Sequence, residues 1–514
     1  MNEVFDSRYG MPFIDLTATD IADELLSLFP ASQLNDRGFV PFAVENGELF
    51  VAIANPHDLD LPTEIKLLSG KKIRTFLADP KEIAKALKQR LGVGSTAFGD
   101  AAGADDSFQL EDLEDSSGID DLGEQRIVSK LVDELLVDAL QMGASDVHLE
   151  CEEDHFQIRY RVDGLLRHVS TSPKISQYRS AIISRIKILS KLNIAERRLP
   201  QDGRFKSVIG TRETDVRVSV IPMLHGENVV MRLLDRNRKV LEIEELEIPE
   251  FEEKKFLDLI RSPNGMVLIT GPTGSGKTTT LYSALNAIKD SRIKIVTIED
   301  PVEYSLPGIH QIQVHEKIGR TFAKGLRSVL RHDPDVVLVG EIRDHETAQS
   351  AVQASLTGHL VFSTLHTNDA CGALPRLVDM GVEPYLVAGT LSGVMAQRLV
   401  RRLCPNCKTP KSVSALETPE DFPTSIEQAW VATGCRQCQQ TGYAGRLPIF
   451  ELLVLDQQVT RIALTTLDPN AIRDQAVSNG MRTLRQAGWT AVSEGNTTIE
   501  EVLRLTNSTS EESE

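Results

Sequence analysis

Two hydrophobic periods alternate along the first half of the chain. Ile127, Leu131, Leu135 and Ala139 recur at helical spacing, which predicts one apolar stripe on a helix. The period then falls to two. Phe156, Ile158, Tyr160 and Val162 alternate with Gln157, Arg159 and Arg161, and Val216, Val218 and Val220 enclose Arg217 and Ser219. Both stretches read as strands with an arginine-bearing exposed face, and a helix over about 178–192 lies between them. Upstream, 21–29 fits a short amphipathic helix, 49–54 a strand closed by Asn55-Pro56, and 77–91 contains a helix starting at Asp79-Pro80. In the second half, apolar runs at 266–270, 294–298, 335–340 and 360–364 read as strands, with helices expected over 277–288 and 321–331.

These patterns divide the chain. Residues 1–91 form a small α/β domain, and 92–123, rich in Gly, Ala, Ser and Asp with an acidic run at 111–115, a flexible linker. An α/β domain bearing arginines follows over 124–236, then an acidic hinge at 237–254, a large α/β domain at 255–505 and a small polar tail at 506–514. No internal repeat interrupts this order.

Composition narrows the function. A formal net charge of −18, from 74 acidic and 56 basic residues, disfavours a protein that coats nucleic acid. No run of about 18 apolar residues is present, so no membrane-spanning helix is expected. The N-terminus lacks the basic stretch and apolar core of a secretory signal. A cytoplasmic protein, or one held to the inner membrane through a partner, is the expectation.

The strongest chemical signal is the stretch Gly271, Pro272, Thr273, Gly274, Ser275, Gly276, Lys277, Thr278 and Thr279, placed between an expected strand and an expected helix. That is the setting of a phosphate-binding loop: glycines let backbone N–H groups converge on oxyanions at a helix N-terminus. Lys277 would reach the β- and γ-phosphates and Thr278 would hold Mg²⁺. Hydrolysis needs more, and candidates stand at later strand ends. One strand delivers Glu299 and Asp300, and the next delivers Glu341, favoured as the group that orients water. A third is flanked by His359 and His366, either of which could sense the γ-phosphate or be structural. Arginine suits the spread charge of a transferring phosphoryl group. Arg327 and Arg331 fall on one face of the 321–331 helix, and Arg204, Arg217 and Arg232 lie in the preceding domain. They form either a solvated basic face or groups that close over nucleotide from a second domain or subunit.

Six cysteines are present. Cys404, Cys407, Cys435 and Cys438 make two Cys-x-x-Cys pairs within 398–445, the spacing of a tetrahedral structural Zn²⁺ site, with redox dithiols the alternative.

On these motifs the chain resembles the GspE family of type II secretion ATPases, within the wider group that also drives type IV pilus assembly. The resemblance covers 124 to about 505. Residues 271–280 match the family's Walker A box, 297–304 its Asp box, 330–344 its Walker B region with Glu341, and 357–368 its His box with His366. Residues 199–204 and 215–219 match its arginine-bearing segments.

The resemblance implies a RecA-like P-loop ATPase core preceded by a PAS-like α/β domain, with a tetracysteine zinc subdomain. It implies a homo-hexamer, hydrolysis of ATP with Mg²⁺, Glu299 of the Asp box serving catalysis, and Arg204, Arg217, Arg327 and Arg331 approaching nucleotide as domains close. It further implies that residues 1–91 dock a bitopic inner-membrane protein beside a platform protein, and that the output is pseudopilus extension; pilus assembly is the nearest alternative. Arg90, Leu91 and Gly92 spell the opening of a nucleotide-second-messenger motif found in some pilus motors. The apolar helix that should follow is missing, so the letters read as coincidence. A DNA translocase and a non-hydrolysing scaffold are the remaining rivals. The charge and the 5% aromatic content weigh against the first, and Glu341 with its arginines against the second.

Overall fold

The computed structural model describes residues 4–506 apart from 7–10, 17–18, 20, 27, 30–32, 35–36, 46, 92–118, 154, 210–211 and 236–238. The chain divides into two compact units, Met1–Asn237 and Arg238–Glu514.

The first unit holds two sheets. One has the spatial order Val4–Asp6, Met11–Phe13, Lys72–Leu77, Glu48–Ile53, Phe39–Glu45. Leu61 and Ile65 of the helix Leu61–Ser69 share a core with Phe39, Val51 and Phe76. Of the helix expected over 21–29, Asp23–Leu26 is helical, and residue 27 lies outside the described residues. Of the expected linker, 92–118 lies outside the described residues, as does Gly92 of the Arg90-Leu91-Gly92 stretch, and a helix already begins at Ile119.

The second sheet is antiparallel throughout, in the order Leu165–His168, Phe156–Val162, Ala144–Cys151, Gly226–Asp235, Arg212–Met223, Gln201–Ile209. Its alternating pattern places Ile158, Tyr160, Val216 and Val218 in one core with Leu131 and Leu135 of the helix Ile119–Gln141 and Ile182 and Ile186 of the helix Arg179–Leu189. The polar members of the alternation are left on the opposite face.

The second unit is built on a seven-stranded sheet, ordered His310–Gln313, Ile295–Glu299, Val336–Val339, Leu360–Leu365, Gly265–Thr270, Leu391–Leu403, Tyr443–Val454. Every neighbouring pair is parallel except the last. The unbroken apolar runs reflect burial on both faces: one face packs under Leu326, Val352 and Leu374, the other under Phe256, Leu281 and Leu285.

Two expectations change. Residues 239–254 are not a free hinge. Ile243, Leu246 and Ile248 are buried in the core of the second unit, and the helix Glu250–Ile260 follows at once. Three apolar side chains among many acids suffice to pin the segment. The helix expected over 321–331 spans only Phe322–Val329 and continues as a tight turn, Leu330–His332. Pro334 disfavours a helical conformation at Asp333, which takes φ +53°.

Candidate active site

Because the central strands run parallel, their carboxyl ends share one edge, the usual place for a ligand crevice. Thr270 is in register with both Leu365 and Ala396, so Gly271, His366 and Gln397 leave adjacent strands side by side. The next strand delivers Gly340, whose N–H donates to Ile298 O at 2.8 Å, and then Glu341. His359 precedes its strand and therefore stands at the opposite edge. Its carbonyl accepts from Gly265 N at 3.2 Å and its Nδ1 lies 2.9 Å from Ala354 O. Of the two histidines, only His366 belongs to the site.

The glycine loop joins the strand Gly265–Thr270 to the helix Lys277–Ile288. Gly271 has φ +148° and a Cβ there would meet Gln397 O at 2.6 Å; Gly276 has φ +90° and its Cβ would meet Gln397 Nε2 at 2.8 Å. The floor beneath the loop is the buried pair Gln397 and Arg398. Gln397 Oε1 accepts from Thr280 Oγ1 at 2.8 Å, and Arg398 Nη2 donates to Asn368 O at 2.6 Å. Pro272, Thr273, Gly274 and Thr278 are exposed around the loop mouth, with Thr279 half-buried.

Lys277 folds back over the loop. Its Nζ donates to Gly271 O at 2.6 Å and Pro272 O at 3.1 Å, carbonyls standing where phosphate oxygens would accept. Burial pulls its ammonium down to about 8, with Glu341 opposing the shift and Arg398 adding to it. Ser275 Oγ is buried without a partner in the same loop, the kind of vacancy a ligand oxygen satisfies. The residues present therefore fit a triphosphate, and the exposed Thr278 hydroxyl in the first helical turn fits its Mg²⁺.

Glu341 is 13% exposed, with Arg343 Nη2 2.6 Å from Oε1 and His366 Nε2 3.7 Å from Oε2. Burial and Lys277 lower the imidazole's affinity for a proton, while Glu341 raises it. Thr367 ties this group to the loop strand, its Oγ1 lying 2.7 Å from Thr270 Oγ1.

Other expected residues lie elsewhere. Glu299 is buried and accepts hydrogen bonds from Tyr282 of the loop helix, from Thr297 Oγ1 at 2.5 Å and from Gln311 Nε2 at 3.2 Å. It holds the helix rather than facing the crevice. Arg327 pairs with Glu346 at 2.7 Å, and Arg331 Nη1 donates to Arg327 O at 2.7 Å. Arg331 adjoins His332, whose carbonyl accepts from Lys294 just before the strand Ile295–Glu299. That is the amino-terminal edge of the sheet, separated from the loop edge by a strand length of roughly 13 Å or more. In the first unit, Arg204, Arg217 and Arg232 stand in one cross-strand row, Arg217 opposite both others. Arg232 Nε donates to Asp146 Oδ1 at 2.9 Å.

Sequence reasoning missed Arg343, Gln397, Arg398 and Thr367 as site residues. The signal for two of them was present: a buried Gln-Arg pair following Val394, Met395 and Ala396 in the strand Leu391–Leu403 has to answer to something polar.

The cysteines converge independently. The excursion between the last two strands carries its own strand pair, Thr409–Ser412 and Gln428–Val431. Cys404, Cys407, Cys435 and Cys438 offer sulfurs all within 4.8 Å of one another, including pairs at 3.9, 3.8 and 3.7 Å. A tetrahedron of Zn–S bonds near 2.3 Å has edges of about 3.8 Å. Cys435 N and Gly442 N each donate to Cys438 Sγ at 3.1 Å, the pattern that stabilises a metal thiolate. Cys151 and Cys371 are buried apart from the cluster.

Residues 121–504 match the family described as Type II/IV secretion system protein, and residues 9–97 match the MshEN domain, a range that spans Arg90 to Gly92. The type IV pilus assembly ATPase PilB of Myxococcus xanthus is 40% identical over 98% of this chain and 90% of its own. The type II secretion system protein E of Pectobacterium carotovorum subsp. carotovorum is 42% identical over 95% of this chain and 99% of its own. Among solved structures, the ATPase DotB of Legionella pneumophila superposes with a TM-score of 0.53 at 21% identity, covering 73% of this chain and 94% of that one, which speaks to fold alone. On the match over 121–504 and the identity along nearly its full length, the chain belongs to the Type II/IV secretion system protein family and is an ATPase of that family.

Proposed function

We propose that this ATPase powers type II protein secretion, hydrolysing ATP with Mg²⁺ to extend a pseudopilus. The observation that carries the reading is the meeting of Lys277, Glu341 and His366 at the mouth of one glycine loop. Lys277 and the loop N–H groups would hold the phosphates, with Ser275 Oγ satisfied by one of their oxygens. Thr278 would hold Mg²⁺, which would supply charge neutralisation at the phosphates. Glu341 would orient the attacking water, and His366, beside it, would report on the terminal phosphate. Glu299 acts as a positioning residue through Tyr282.

The row Arg204, Arg217 and Arg232 would close over the nucleotide. Arg331, at the far edge from its own loop, and Arg327 would serve a neighbouring subunit of a homo-hexamer. Zn²⁺ on the four cysteines would be structural. Residues 1–91 would dock a bitopic inner-membrane protein, with a platform protein beside it, keeping the motor at the cytoplasmic face of that membrane.

Pilus extension is the second reading, raised by the 40% identity to a pilus assembly ATPase over 98% of the chain. Capture of the full-length protein from inner membranes separates the two: a type II bitopic partner supports secretion, and recovery of pilus assembly components alone supports the other. Release of phosphate from ATP by the purified chain tests the enzymatic core of both.

A further inference from the structure

The segment linking Gly340 to the next helix is pinned at alternate residues. Gly340 N donates to Ile298 O at 2.8 Å and Gly340 O accepts from Thr364 Oγ1 at 2.7 Å. Ile342 N donates to Thr364 O at 3.0 Å, and Ile342 is buried in the core. Asp344 caps the helix His345–Leu356, its Oδ1 accepting from Thr347 N at 2.8 Å. Extended backbone held this way turns residues 341 and 343 to the same side, and there Arg343 Nη2 meets Glu341 Oε1 at 2.6 Å. Arg343 therefore holds Oε1, while His366 Nε2, at 3.7 Å, stands beyond hydrogen-bond distance of Oε2, so the ion pair competes with water for Glu341 at Oε1.

Release of that oxygen has to come from the ligand. The Arg343 side chain is 66% exposed against 13% for Glu341, so the arginine can swing while the carboxylate stays. A guanidinium binds carboxylate and phosphate oxygens with the same planar fork. A terminal phosphate carries more charge than one carboxylate and would be held beside Lys277, whose ammonium already feels Glu341.

Resting on the reading of this crevice as the ATP site, we infer that Arg343 changes partners in each cycle, from Glu341 when no triphosphate is bound to the γ-phosphate when one is. The swap frees Glu341 only when there is something to hydrolyse. It also makes Arg343 a residue by which the site distinguishes ATP from ADP, since ADP offers the guanidinium no terminal phosphate.

The test uses the full-length chain and fluorescent derivatives of ADP and of a non-hydrolysable ATP analogue. Arg343→Ala is expected to weaken analogue binding about tenfold, the scale of a lost charge-assisted pair, while ADP binding stays within about twofold. Glu341→Gln, which weakens the resting pair, is expected to tighten the analogue severalfold over the unaltered protein and to leave ADP unmoved. Arg343→Lys keeps the charge without the fork and should fall between, which guards against an alanine variant that fails to fold. An affinity ratio between analogue and ADP unchanged by either Arg343 substitution overturns the exchange, as does an equal loss for both nucleotides. If the unaltered protein binds neither nucleotide, the nucleotide-site reading itself fails; if it binds both and only the ratio fails to respond, the exchange alone is wrong.

Discussion

Arg217 stands directly opposite Arg204 on the neighbouring antiparallel strand. It also stands opposite Arg232 on its other side, so a row of guanidiniums crosses three strands, with Asp146 as the partner of the last. On the proposed reading, in which this row closes over nucleotide, Arg217 would act on the phosphates. Arg217→Ala is expected to lower kcat for ATP hydrolysis by roughly 10²–10³, the scale of one lost transition-state donor. Binding of a non-hydrolysable analogue to the same variant should weaken far less. Steady-state turnover and fluorescence titration on one preparation check this, and an unchanged kcat would leave the row with no catalytic part.

Lys277 gives the site a pH dependence with a definite sign. Burial lowers its pKa from 10.5 to about 8. Between those values the unfolded chain holds the proton more tightly, so this residue's contribution to stability rises with pH across that window and is lost as pH falls to about 8. Nucleotide affinity runs the other way, because phosphate needs the charged lysine. Affinity should decline as pH rises through about 8, with proton uptake on binding above it. Calorimetry at pH 9 in two buffers of different ionisation enthalpy reads that proton directly, and Lys277→Arg should abolish the uptake.

The loop tolerates no side chain at Gly276. Its φ of +90° and a Cβ position 2.8 Å from Gln397 Nε2 mean that alanine strains the backbone and displaces the floor of the loop. Left-handed backbone alone costs a non-glycine residue roughly 1–2 kcal/mol. Gly276→Ala should therefore lose nucleotide affinity by about tenfold or more, and differential scanning calorimetry should show a lower melting temperature.

The cysteine cluster is expected to be structural and separable from catalysis. Cys438→Ser should lower zinc content from about one per chain toward none and expose the excursion from Cys404 to Tyr443 to proteolysis. ADP binding should persist, because the loop lies on another strand and its floor, Gln397 and Arg398, is fixed by Thr280 and Asn368 well before Cys404 on the strand Leu391–Leu403. Elemental analysis with limited proteolysis checks both halves of this expectation.

The glycine loop, Glu341 and the four cysteines were legible in the sequence because each is a short-range pattern whose chemistry depends on spacing. The strands were legible for a related reason: alternation survives where one face is solvated, and unbroken apolar runs appear where both are buried. What could not be read was long-range placement. Arg327 and Arg331 look equivalent to Arg204 and Arg217 by charge, but sheet direction puts Arg331 at the far edge from the loop. His359 and His366 flank one strand symmetrically in sequence, and only its parallel orientation assigns them to opposite ends. Glu299 looks like a second catalytic carboxylate until Tyr282, a turn and more along the loop helix, is found bonded to it. Gln397 and Arg398 reach the site from a strand more than a hundred residues after the loop.

The account rests on Glu341 acting on water at a triphosphate held by the Lys277 loop, and one comparison tests it most directly. Turnover and binding of an ATP analogue are measured on full-length protein with and without Glu341→Gln. The expected result is turnover reduced by roughly 10³ or more with analogue binding not weakened. Retained turnover, or analogue binding lost together with turnover, would contradict it.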